Sequence, residues 1–490
     1  MNAPQKTPDS RIRLLWDLPP RTDGAYVLYW MTAARRTRYN FGLERAIEVA
    51  ISMGKPLLVL EALRVGYRWA SDRIHKFVME GMAANRETFE ANNVSYYPYV
   101  EPFAGAGKGL LHALAESACV VVTDDSPAFF LPAMLTGARL DVPVRFEAVD
   151  SNGLLPLRAT DRCFSRAYDF RRFLQRELSP HLLLCPQGSP FPREGLARLK
   201  EVPNDVSRKW PQAEPESLQD PTRILSELPI DHSVAPAPLD GGEKAGELVL
   251  RHFLEQRLDI YGEGRNRLEA ENTSGISAYL HFGHISPHEV FAGIAAKENW
   301  SQDQLGSTAN GKREGWWGMG ASAEAYLDQL VTWRELGLNA ATHQVGYDKF
   351  ESLPNWAQIS LETHACDERP FVYSLEEFEQ SATHDEIWNA AQAQLRSQGV
   401  IHGYLRMLWG KKILHWSSCP REAHEIAVEL NNKYALDGRD PNSHSGILWT
   451  FGKFDRAWGP ERPVFGKVRY MTSENTRRKL KVGEYLKRWN

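Results

Sequence analysis

The chain has 490 residues, a formal charge of −4, 42% hydrophobic and 24% charged residues, which is too long for one ordinary domain and suits two or three. That balance excludes a disordered or collagenous protein. Purely apolar runs, such as 119–122, are far short of the ~20 residues of a membrane span. Residues 1–21 are polar and proline-bearing, which predicts no secretory signal. The five cysteines, Cys119, Cys163, Cys185, Cys366 and Cys419, stand 44, 22, 181 and 53 residues apart. With no Cys-x-x-Cys pair they signal no metal site or iron–sulfur cluster. An odd set of isolated thiols suits a reducing cytoplasm.

Along the first half, β-branched or aromatic runs at 25–30, 56–61, 94–100, 119–123 and 142–148 read as strands. The stretches 39–53, 71–91, 108–117 and 126–137 between them read as amphipathic helices. Strands separated by helical crossovers must run parallel, so this is an α/β domain with a doubly wound sheet. A Pro-, Asp-, Glu- and Ser-rich segment, 186–243, reads as a long surface connection. Beyond it, helices are expected at 247–261, 287–296, 321–341, 384–397, 402–416 and 420–434, and 311–320 reads as a loop. The resulting division is a tail (1–22), an α/β domain (23–185), the connection (186–243) and an all-helical domain (244–490).

Some motifs carry no function. Gly105-Ala-Gly-Lys108-Gly109 has Pro102 and Gly109 where a phosphate loop needs Gly and Ser or Thr. Asn272-Thr-Ser and Asn299-Trp-Ser match the glycosylation sequon, which a cytoplasmic chain never uses. Other motifs are more telling. Tyr261 is followed by Thr273-Ser274-Gly275-Ile276-Ser277, hydroxyls and a Gly entering a helix, which can receive an anion or simply cap the helix. Arg406 on a largely apolar helix needs a carboxylate, and Asp437 is the natural partner. Trp409 and Trp416 lie seven apart, on one helix face and about 10.5 Å apart along the axis. Trp388 on the preceding helix could extend the row inward. By pattern alone such a stripe is core packing.

Together these residues resemble the photolyase/cryptochrome family, most closely the class II cyclobutane pyrimidine dimer photolyases. The specific blocks are 279–286, 383–391, 402–416, 436–442 and 461–471. The resemblance implies an α/β antenna domain, a connection, and a helical domain that binds FAD. It implies that Tyr261, Thr273, Ser274, Gly275, Ile276 and Ser277 grip the FAD phosphates and ribityl chain. Arg406 and Asp437 would form an ion pair beside the flavin ring, with Asn431 near its N5. Trp388, Trp409 and Trp416 would relay electrons from the surface. Trp333 and Trp449 would flank a flipped dimer in damaged DNA, whose poor stacking makes extrusion cheap. The resemblance also implies a second antenna chromophore of deazaflavin or folate type, and a monomer.

Charge agrees with DNA as partner. Residues 453–490 hold eleven Lys or Arg against four acids, an asymmetry suited to phosphate contacts. Lys453, Arg456, Arg462, Lys467, Arg469, Arg477, Arg478 and Lys479 are the expected backbone contacts.

The pattern also breaks. Four residues before Trp333, where the family carries a Glu that hydrogen-bonds the dimer, this chain has Gln329 next to Asp328. A Gln donates but holds no proton to give. The segment after Arg334-Glu-Leu-Gly diverges, Asn432 stands where an acid is expected, and the loop 450–455 is one residue short. The run 32–40 replaces a more acidic one in the antenna domain. Two main readings follow: a deoxyribodipyrimidine photo-lyase, or a cryptochrome-like blue-light receptor with reduced or no repair. A non-photochemical flavoprotein is a third, disfavoured by the intact tryptophan row.

Overall fold

A computed structural model describes residues 6–192, 195–269 and 272–489. Residues 1–5 of the expected tail, 193–194 of the expected connection, and 270–271 and 490 of the expected helical domain lie outside the described residues. Two compact units are interleaved along the chain. The first comprises Met1–Thr160, Glu177–Arg251 and Gly275–Lys297, and the second Asp161–Arg176, His252–Ser274 and Glu298–Asn490.

The first unit is built on a six-stranded sheet, β1 (Ile12–Trp16), β2 (Tyr26–Met31), β3 (Leu57–Leu63), β4 (Ser95–Val100), β5 (Ala118–Asp124) and β6 (Arg145–Val149), in the order β1-β6-β5-β2-β3-β4. β2 to β6 are parallel and connected through α1 (Phe41–Met53), α2 (Asp72–Ala91), α3 (Leu110–Glu116) and α4 (Leu131–Asp141). Every residue of β2 and β5 is buried, as a sheet covered on both faces demands. β1 was not anticipated. It is an antiparallel edge strand on β6, a short stretch interrupted by Arg13 in which only Leu15 is buried.

The chain order reverses between β2 and β5, the place where open α/β sheets form a crevice. Asp124 sits there, accepting from the backbone N–H groups of Thr32, Ala33 and Ala34 at 2.8–2.9 Å. The arginines of the run 32–40 are engaged within the unit. Arg35 pairs with Glu61 at 2.8 Å, and buried Arg36 donates to the carbonyls of Gly283 and Ser151. The 105–109 turn is closed likewise: Glu101 accepts from the N–H groups of Gly105 and Gly107, so an acid holds the donors a phosphate would need.

The 186–243 segment is more than a surface connection. Its short helices Asn204–Lys209, Pro215–Gln219 and Thr222–Glu227 bury Val206, Leu218 and Leu225, and Trp210 between them donates its indole N–H to Ala106 O.

The second unit is helical. Its elements include α5 (Ala167–Glu177), α6 (Ala321–Leu327), α7 (Arg334–His343), α8 (Glu386–Gln398), α9 (Gly403–Trp416), α10 (Pro420–Tyr434), α11 (Pro441–Thr450) and α12 (Ser473–Lys479). Asp385 caps α8 through the N–H groups of Ile387 and Trp388, and Gly399 ends it at φ 69°. Asp440 caps α11, where Pro441 stands at N1. The stretch expected as one helix over 321–341 is broken by a π turn, Asp328–Trp333, between α6 and α7. Such turns recur at functional sites because they re-aim side chains. At Gly337 a Cβ would lie 2.9 Å from Pro441 O, so only Gly lets α7 approach the start of α11.

Candidate active site

A cavity of about 1370 Å³ opens within the second unit. Among its lining residues are Tyr261, Thr273, Gln329, Trp333, Arg406 and Trp449. Gln329 and Trp333, four residues apart and so nearly one turn apart, both reach it from the π turn. Asp328 also lines the cavity, but its Oδ1 receives Arg171 Nε at 2.9 Å and Nη2 at 2.7 Å, so its carboxylate is already committed.

Arg406 grips Asp437 with Nη2–Oδ1 at 2.7 Å and Nη1–Oδ2 at 3.2 Å. Its Nε is buried and has no partner among the described residues, an orphan donor beside the cavity. Burial raises the Tyr326 phenol above its ordinary range, an effect the Ser274 side chain opposes, and it raises the Tyr261 phenol likewise. Gly275 adopts φ +72°, which favours glycine. Ile276 is buried and precedes the helix Ser277–His281. Gly275, Ile276 and Ser277 belong to the first unit.

Asn431 is not a lining residue. It is buried, and its amide donates to Ser443 Oγ at 2.9 Å and Asn432 Oδ1 at 3.1 Å, while Ser443 itself lines the cavity. Asn432, at the position expected to be acidic, accepts from Arg439 N at 2.9 Å and leaves its own Nδ2 buried without a partner among the described residues.

The tryptophans form one row in an order the sequence did not give. Trp388 lies between Trp409 and Trp416, not at the inner end. Its ring is 6.4 Å from each, stacked at 3° on Trp409 and tilted 70° to Trp416. Seven residues along α9 leave a gap between the two helix-mates, and an indole from α8 fills it. Trp388 Nε1 donates to Trp409 O at 3.1 Å, and Trp409 Nε1 to Gln392 Oε1 at 2.9 Å. All three rings are buried.

The basic C-terminal segment divides. Lys453 leaves the phosphate-facing set: it is 4% exposed and its Nζ donates to Tyr347 O and Ser352 Oγ, both at 2.9 Å. Burial lowers its pKa to about 8. Its physical role is to satisfy inward-facing oxygens. Arg469 pairs with Asp455 at 3.1 Å, Lys467 with Glu461 at 3.2 Å and Arg477 with Glu386 at 2.8 Å. Arg456 and Lys479 line the cavity, with Arg456 over the Trp458 ring at 4.5 Å. Arg478 is exposed, and Arg462 lies 5.1 Å over Tyr470.

Two contributors escaped the sequence reading. Arg265 lines the cavity one helical turn beyond Tyr261, and its spacing of four residues was the available signal. Lys411 is fully buried, donates to Thr450 O at 2.5 Å, and has its Nζ 5.3 Å over the Trp449 ring. Burial lowers its pKa to about 7, opposed by Asp455 and assisted by Arg469. Among the described residues no cluster of His, Cys, Asp or Glu could hold a metal, and no helix is long and apolar enough to cross a membrane.

No family model matches the chain. Curated relatives do. The chain is 33% identical over 479 residues to a deoxyribodipyrimidine photo-lyase of Methanothermobacter thermautotrophicus, covering 98% of this chain and 97% of that one. It is 30% identical to those of Potorous tridactylus (97% and 83% covered) and Arabidopsis thaliana (97% and 92%). Among solved structures, a bacterial class III photolyase from Agrobacterium tumefaciens matches with TM-score 0.68 at 18% identity, over 95% of this chain and 86% of that one, a likeness of fold. Near-complete coverage at this level of identity settles the relationship: the chain belongs to the photolyase family, on the class II side to which its motifs point.

Proposed function

We propose that the protein is a light-driven DNA lyase that splits cyclobutane pyrimidine dimers. The observation that carries this reading is the cavity itself. It brings two indoles, Trp333 and Trp449, and an amide, Gln329, together with Arg406, whose Nε has no partner. The photolyase family binds FAD, and the residues here fit it. The cavity has the volume for a dinucleotide, the unpartnered Nε is a ready donor, and Tyr261 and Thr273 offer hydroxyls along the wall.

Bound reduced FAD would supply, under blue light, the electron that the dimer needs and later returns. The rest is the chain's work. Trp333 and Trp449 present apolar faces on which pyrimidine rings can stack. Gln329 donates its amide N–H to a pyrimidine carbonyl and has no proton to transfer. Arg406, held by Asp437, keeps a positive charge at a fixed place in the wall, and Asn431 supplies a neutral amide behind Ser443. Trp416 and Trp409 of α9, bridged by Trp388 of α8, form a buried row whose Trp409 end stands one turn from Arg406. As the two cyclobutane bonds break, the electron leaves the pyrimidines again, so no net redox change occurs.

Gln329 favours a second reading, a blue-light flavin receptor that keeps the relay and repairs little or nothing. The test is blue-light treatment of a thymine-dimer oligonucleotide with reduced holoprotein and a dark control. Light-dependent return of intact thymines is the expected result. Its absence in protein that binds FAD and photoreduces would overturn the lyase reading for this lesion in favour of the receptor.

A further inference from the structure

The C-terminal segment is not the whole cationic lining of the cavity. Arg166 and Tyr168 at the start of α5, and Lys312 and Arg313 from the 311–320 loop, line it too and are exposed. None of the three cations has a carboxylate partner among the described residues, whereas Lys467, Arg469 and Arg477 are all paired. The acids nearest in sequence are Asp169 and Glu314, on the same two segments.

The turn that carries Lys312 and Arg313 is held rigidly. Gly311 N donates to Gln175 Oε1 at 2.7 Å, Gln175 Nε2 to Lys312 O at 3.0 Å, and Arg171 Nη1 to Gly311 O at 3.2 Å. Lys312 N also donates to Asn310 Oδ1 at 2.8 Å. Arg171 is itself fixed by Asp328, the neighbour of Gln329. Gly311 adopts φ +74°, and a Cβ there would come within 2.6 Å of Arg172 and 2.8 Å of Tyr168. On the other side, Asn339 receives Phe164 N at 3.0 Å and donates to Arg162 O at 2.9 Å, tying down the chain that leads into α5. Asn339 lies in the stretch that diverges from the family pattern. Buried hydrogen bonds are thus spent on aiming a pair of free cations into the cavity, which a merely solvated loop does not require.

We propose that this lip, Lys312 and Arg313 with Arg166, binds the phosphodiester backbone of the lesion-bearing DNA strand beside the nucleotides that enter the cavity. The inference rests on the reading of the cavity as a DNA lesion site. Unpaired Lys and Arg beside a cavity walled by base-stacking indoles fit a phosphate-bearing strand of unpaired bases. The lesion-bearing strand is the one chosen because the lip and the walls Trp333 and Trp449 share one cavity.

The test is salt-dependent binding of a single-stranded thymine-dimer oligonucleotide, and of the same strand in a duplex, to holoprotein and to the K312Q/R313Q variant. Both positions are exposed, and an unchanged thermal midpoint and FAD content would confirm that the variant folds. Losing two phosphate contacts should make the slope of log K against log salt shallower by about 1.4 on the single strand. An unchanged slope with wild-type protein bound normally overturns the lip. So does a loss confined to the duplex, which would assign the contact to the complementary strand. A wild-type protein that ignores the dimer oligonucleotide would sink the lesion-site reading and the lip with it.

Discussion

Two groups of tryptophans in the second unit are made of the same side chain and set up electrically in opposite ways. In the row, Trp409 and Trp388 are buried and donate their indole N–H groups to a side-chain and a backbone carbonyl oxygen. An oxygen facing the N–H stabilises positive charge on the ring, so both indoles give up an electron more readily. At the cavity wall, Trp449 has Lys411 Nζ at 5.3 Å and Arg469 at 5.2 Å over its ring. The Arg469 cation, joined by Lys411 when that amine is protonated, opposes loss of an electron from the indole and favours negative charge nearby. Trp416 shares a little of this second character, with Lys412 Nζ 4.8 Å over it. The difference teaches that a tryptophan's role is set by what faces its N–H and its ring. One arrangement suits conduction, the other a wall beside an electron-rich guest.

The largest expected effect comes from breaking the row at its middle. Trp388→Phe replaces the indole that bridges Trp409 and Trp416 with a phenyl ring far harder to oxidise, so the electron must cross from one helix-mate to the other directly. Flavin photoreduction in purified protein under blue light should be lost, and Trp409→Phe should behave the same way. Wild-type photoreduction in either variant would mean that the row is core packing after all. A smaller effect is expected from the wall. Gln329→Glu restores a side chain that can hold a proton, and repair per absorbed photon should rise by severalfold, about 1 kcal/mol of added hydrogen bonding to the guest. No change would show that this amide is not the weak point of the site.

These contrasts were only partly legible beforehand. The parallel strands, the long helices and the Arg406–Asp437 pair follow from period, spacing and the demand that a cation on a largely apolar helix be answered, and they are present. What could not be read is what depends on the third dimension. Nothing in the residues 321–341 marks the π turn at Asp328, because its apolar pattern differs little from that of an α-helix. Trp388 could be placed on its helix but not between its partners. Lys453 counted as one more cation of a basic segment, since charge counts do not reveal which ammonium faces inward. Lys411 was hidden by its neighbour Lys412, because a Lys-Lys pair on a helix normally reads as a solvated face. Arg171 and Gln175 act only across space, on a loop more than a hundred residues away.

Lys411 yields a pH test of the same contrast. Its folded pKa is about 7, below the ordinary lysine value. Between that pH and the ordinary value near 10.4, the unfolded chain carries a proton that the folded chain lacks, so stability rises with pH there, by up to about 1.4 kcal/mol per unit. Below pH 7 both states are protonated and this contribution to the slope vanishes. Urea unfolding at pH 6 to 9 should therefore show wild-type stability climbing relative to Lys411→Met above neutrality. Parallel curves would mean that Lys411 keeps an ordinary pKa despite its burial.

The smallest expected effect is that of Arg469→Gln, and it is the most specific to the wall. Arg469 lies 5.2 Å over Trp449 and 4.1 Å over Trp458, and its partner Asp455 is held by the Trp458 indole N–H as well. The substitution keeps a polar but shorter side chain while removing the cation, so about 0.5–1 kcal/mol of ring–cation attraction is lost. Asp455 still has Trp458 as a donor, which limits the cost of leaving it without its arginine. Binding of a thymine-dimer oligonucleotide should weaken a few-fold, whereas photoreduction through Trp409 should not change. That split matters more than its size. If both fall together, the two groups of indoles are one packed body whose electrostatics cannot be separated. If only binding falls, charge over the ring is what sets the wall apart from the row.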